Sequence, residues 1–66
     1  MNAQRTDNVE LLERHLRSQA QAHAERAANF DGDTSVEGMV QQEMLLTYSR
    51  LLATFADEAA TARGAA

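Results

Sequence analysis

An all-α fold, an antiparallel hairpin of two helices, is what this sequence predicts, on three observations. The 66-residue chain has no proline and three glycines, and alanine, leucine, glutamine, glutamate and arginine, all good helix formers, dominate it. Apolar residues recur in steps of three and four on both sides of one break. The turn within that break is about five residues long, which makes its neighbours antiparallel.

The first helix is expected over about 8–30. Asp7 reads as its N-cap, with Glu10 three residues on completing a capping box. Its apolar stripe is Val9, Leu12, Leu16, Ala20, His23, Ala27 and Phe30. Val9, Leu16, His23 and Phe30 keep a seven-residue repeat, as in a coiled-coil seam. Ala20 and Ala27 are small enough to let a neighbouring backbone come close.

The turn is expected at about 31–34, within the break from Asn29 to Ser35. Gly32 can take the left-handed conformation that ends a helix, and Thr34 with Glu37 reads as a second capping box.

The second helix is expected over about 35–62, with a frayed tail at 63–66. Its central seam reads Leu45, Tyr48, Leu52, Phe55, Ala59 and Ala62. Met44 and Leu51 widen that seam on one flank; Met39, Leu46 and Ala53 widen it on the other. Only the strip of Glu43, Arg50 and Asp57, with Gln42, Ser49, Thr47, Thr54 and Thr61 beside it, suits water. A helix apolar over so wide an arc needs more than one neighbour. The hairpin is therefore expected to dimerise into a four-helix bundle with helix 2 at its centre.

Size points the same way. A chain this short builds one domain, and a single small core rarely supplies more than ~3–5 kcal/mol. Cysteine is absent, which excludes disulfides and thiolate metal sites and leaves oligomerisation as the remedy. The start of the chain is polar, and its longest apolar run, Met44-Leu45-Leu46, is far short of the ~20 residues that span a bilayer. A cytoplasmic protein without membrane contact is the expectation. Ten acids against six arginines give a net charge of −4, which disfavours nucleic acid.

The candidate sites are few. His15 and His23 lie eight apart, without the four-residue or Glu-x-x-His spacing of helical metal sites, so no metal or other cofactor is expected. His23 in the seam is a candidate pH-sensitive contact, because protonation puts charge where packing wants none. The acids of Asp31-Gly32-Asp33-Thr34-Ser35 fit no calcium-loop frame and read as turn and cap residues. Arg14 and Arg17, with Arg5 near them, are neutralised by Glu10 and Glu13 one turn away. Nothing in the sequence builds an oxyanion hole or pocket around a nucleophile, so no catalytic residues are assigned.

In size and layout the chain resembles the Rop family, plasmid copy-number regulators whose helical hairpins pair into an RNA-binding four-helix bundle. Arg14, Arg17, Ser18 and Gln19, then Tyr48, Leu52, Ala53, Phe55 and Asp57, follow a similar order. The resemblance implies an RNA contact through Arg14, Gln19 and Arg26. The chain departs from the pattern at Leu11 and His15, where the family has asparagine and phenylalanine, and its matching segments lie closer together. The turn from Gly32 to Glu37 is similar to that of exonuclease VII small subunits, and the overall length to small chaperones of type III secretion needles. Ala27-Ala28-Asn29 and the stretch from Val36 to Val40 are similar to flagellar rod segments. Helical composition is what these unrelated families share with the chain, and no membership is assigned.

The function expected is a non-enzymatic protein-interaction module: a small regulator, inhibitor or chaperone-like adaptor. Its contact surface is Met39, Met44, Leu45, Leu46, Tyr48, Leu51, Leu52 and Phe55, covered by a second copy, by a protein partner, or by both. The alternatives are a Rop-like RNA-binding dimer and a structural subunit of a larger helical assembly.

Overall fold

Two helices, α1 (Asn2–Ala28) and α2 (Val36–Ala65), pack against each other along their length as an antiparallel hairpin measuring 52 × 15 × 12 Å. The computed structural model describes the backbone of residues 2–65 and the side chains of residues 8–64.

α1 starts well before the expected capping box. Asp7 lies inside the helix rather than at its N-cap, because the preceding residues, with Ala3, Gln4 and Arg5 among them, are themselves helix formers. The side chains of Arg5 and Asp7 lie outside the described residues. At its other end α1 stops at Ala28, short of Phe30. The amides of Asn29, Phe30 and Asp31 donate to the carbonyls of Arg26, Ala27 and Ala28 at 3.0–3.1 Å, a tightened i→i+3 turn that uses up the last carbonyls. Gly32 then takes the left-handed conformation, φ 84°, as its position in the sequence suggests.

α2 is capped one residue later than expected. The Gly38 amide donates to Ser35 Oγ at 3.0 Å, so Ser35, not Thr34, is the N-cap, and Glu37 falls one place short of a capping box. Asp33 supports the cap: its Oδ1 accepts from the Ser35 amide at 2.8 Å and from the Ser35 hydroxyl at 2.6 Å. A Cβ on Gly38 would land on that carboxylate, so a larger residue there would push Asp33 off the cap. α2 then runs through Arg63 and Gly64 to Ala65 instead of fraying at 63, with Arg63 tied across to α1. Ala66 lies outside the described residues.

The Ser35 hydroxyl and amide hold the Asp33 carboxyl below the usual aspartate range. A lowered folded-state value means that Asp33 stabilises the hairpin above the unfolded value of about 3.9. That contribution is lost as pH falls through the folded value, below about pH 4. Asp33→Ala is therefore expected to lower the melting temperature at pH 6 and to flatten the fall in melting temperature between pH 4 and pH 2. An unchanged acid limb would contradict this role of the carboxylate.

The seam between the helices keeps strict alternating steps of four and three. On α1 it is Val9, Glu13, Leu16, Ala20, His23 and Ala27, continued by Phe30 in the turn; on α2 it is Gly38, Gln42, Leu45, Ser49, Leu52, Ala56, Ala59 and Arg63, all buried or half-buried. Among the described residues only Ala20, Ala27, Ala56 and Gly38 are buried, and no buried side chain exceeds a methyl group. Small residues allow a close approach, and cross-helix hydrogen bonds confirm it. Ser49 Oγ donates to the Ala20 carbonyl at 2.7 Å, and Gln42 Nε2 donates to the Ala27 carbonyl at 3.1 Å and to Asp31 Oδ1 at 2.6 Å. Both contacts keep one register, seven residues down α1 for seven up α2.

Two sequence expectations change here. Gln42 and Ser49, assigned to the water-facing strip, sit inside the seam because alanine opposite them exposes backbone carbonyls within their reach. Leu12, assigned to the α1 stripe, is exposed, and Glu13 takes its place. Glu13 Oε2 accepts from Arg17 Nε at 3.1 Å, and Arg17 Nη2 donates across to Asp57 Oδ1 at 3.1 Å. Glu13 Oε1 lies 3.0 Å from Arg63 Nη2 but without hydrogen-bond alignment, so this end of the network is held by charge rather than a directed bond. Between two carboxylates, the Arg17 guanidinium is held further above its already high ordinary value.

Candidate protein-interaction face

What the alanine seam leaves over is a large apolar surface. Met44, Tyr48, Leu51 and Phe55 are 44–50% exposed. On a helix of 3.6 residues per turn they fall within an arc of about 60°, beside the seam rather than in it. The neighbouring turns of α1 present Gln19 and His23 to the same side. Between the helices lies an open groove of about 400 Å³ lined by Gln19, His23, Tyr48, Leu51, Leu52 and Phe55.

The groove's histidine is already engaged on its α1 side. His23 Nδ1 lies 2.7 Å from the Gln19 carbonyl, and since a carbonyl only accepts, Nδ1 carries the proton and donates. The His23 ring meets Tyr48 edge-on, centroids 6.1 Å apart with an interplanar angle of 79°. The seam histidine is thus a wall of the groove as well as a contact between the helices.

The residues expected to form the contact surface fall in three places, with Leu52 shared between the first two. Tyr48, Leu51, Leu52 and Phe55 come together at the groove, and Met44 continues their face one turn toward the hairpin's turn. Leu45 and Leu52 are half-buried against α1, so part of the expected surface is spent within the hairpin. Met39 and half-buried Leu46 lie on the other flank, Met39 about 180° around α2 from Tyr48. The helix has two apolar flanks, not one continuous arc.

The residues that the Rop resemblance implies are not gathered. Gln19 lines the groove, Arg26 is exposed on the same side, and Arg14 lies about 140° around α1 from Gln19, where it pairs with Glu10 at 3.2 Å. The expected neighbour pairs, Glu10 with Arg14 and Glu13 with Arg17, both form. Thr54 and Thr61 turn their hydroxyls back onto the carbonyls of Arg50 and Asp57, as on a solvated helix face.

Sequence reasoning missed Glu13, Gln42, Ser49 and Arg63 as cross-helix residues. The signal was present: the phase that places every alanine of the seam inward also places these four there. Among the described residues no helix is long and apolar enough to cross a membrane, and no three metal-ligating side chains gather. No protein-family model, curated protein or solved structure matches the chain.

Proposed function

We propose that this protein is a non-enzymatic interaction module, a small regulator or adaptor, and that two hairpins pair through the α2 face into a four-helix bundle. The observation that carries the reading is the missing core: among the described residues the hairpin buries three alanines and a glycine, while Met44, Tyr48, Leu51 and Phe55 stay half in water. At ~25 cal/mol per Å², burying side chains of that size contributes roughly 1.5–3 kcal/mol each. The hairpin alone forgoes that.

Surface area supports the same reading. A compact protein of 7.2 kDa exposes about 4,100 Å² by the usual scaling with mass. This chain exposes 5013 Å², an excess close to the ~800 Å² that each partner contributes to a standard interface. Burial of the excess would bring the hairpin to the compactness of an ordinary domain.

Dilution tests the proposal. A dimer whose core forms on association must lose melting temperature as it is diluted. Across a hundredfold dilution series from about 100 µM, a steady fall is expected. A cooperative melt at constant temperature would mean that the hairpin is complete by itself, and would overturn the reading.

A further inference from the structure

Resting on that pairing, we infer its direction: the second copy lies head to tail, the turn of one hairpin over the open end of the other, about a two-fold axis that crosses the molecule near Leu51. Two independent observations favour this arrangement over the parallel one.

The first is charge. The acids Glu25, Asp31, Asp33, Glu37 and Glu43, offset only by Arg26, give the turn end a net charge of −4. Arg50 sits beside the axis, and the four arginines and five acids of the open end come to −1, with Glu13, Arg17, Asp57 and Arg63 tied in their network. Parallel pairing would set two −4 turns side by side. Head-to-tail pairing carries them to opposite poles and lays each over a nearly neutral, arginine-containing end.

The second is composition. A two-fold axis along the hairpin would place α2 over the partner's α1, whose face at the level of Met44 to Phe55 is His15, Gln19, Ala22 and Arg26, its exposed Leu11 and Leu12 lying beyond Phe55 toward the open end. An axis across the hairpin places α2 over α2. Tyr48 and Phe55 stand equally far from its centre, so each Tyr48 would meet the partner's Phe55 while Leu51 meets its own copy. Tyr48, Leu51 and Phe55 then cover one another.

The absence of cysteine makes the test clean. Asn29→Cys, at an exposed position beside the turn, carries one spin label per protomer. The register set by the Ala27–Gln42 and Ala20–Ser49 bonds places Asn29 about eleven residues along α1 from the axis. At 1.5 Å per residue, head-to-tail pairing predicts roughly 35 Å between the two labels, measured by pulsed dipolar spectroscopy. Parallel pairing puts both labels at one end, separated only by the bundle's width, about 20 Å or less. Light scattering on the same labelled sample separates the failures. A dimer with the short distance overturns the direction alone, and a single-chain mass overturns the pairing with it.

Discussion

Leu51→Glu is expected to break the dimer and, with it, most of the folded population at low micromolar concentration. In the isolated hairpin Leu51 is 48% exposed, so the same change on a complete monomer would fall within about ±0.5 kcal/mol, the ordinary range for surface sites. In the paired bundle it buries two carboxylates against each other at the symmetry axis. An uncompensated buried charge costs about 3–5 kcal/mol, a weakening of association by two to four powers of ten. Sedimentation shows the loss of the dimer and circular dichroism the loss of helix. Thr47→Glu, on the solvated side of the same helix, should leave both readings near those of the parent.

Ala27→Leu is expected to be the most damaging change within the hairpin itself. Ala27 is 1% exposed, and its carbonyl accepts the Gln42 amide from the facing helix. Three further carbons have nowhere to go unless the helices part, and parting them lengthens the Gln42 and Ser49 bonds that cross the seam. Overpacking of this kind costs about 1–3 kcal/mol, or roughly 5–20 °C in a domain of this size. Ala28→Leu makes the same change of composition at the next, exposed residue and should move the melting temperature little. Equal melting temperatures for the two variants, compared at one protein concentration, would mean that the seam is not close-packed.

The hairpin was legible in the sequence because its signals are local. Helix formers fill both arms, Gly32 supplies the positive φ, and the short break leaves one way to fold back. The boundaries were less legible. A capping pattern at Asp7 and Glu10 yields to the five helical residues before it, from Asn2 to Thr6, and Ser35 displaces Thr34 because Asp33 can brace it.

The phase of the seam was misread for a physical reason. Hydrophobic periodicity points to the greasiest side of a helix, Leu45, Tyr48, Leu52 and Phe55, as the side that packs. Here the helices approach along their smallest residues, Gly38, Ala56, Ala20 and Ala27, and polar side chains fill the intervening steps. Close backbone approach turns glutamine and serine from solvent-facing residues into cross-helix donors. Leu45 and Leu52 stay in the seam as expected, while Tyr48 and Phe55 are left exposed beside it.

The most direct test of the central claim, that one hairpin completes its core with another, is the absolute mass in solution by light scattering on a sizing column at low micromolar concentration. The account predicts one sharp species of twice the chain mass. A well-folded species of single-chain mass would contradict it, leaving Met44, Tyr48, Leu51 and Phe55 as the surface of a stable monomer.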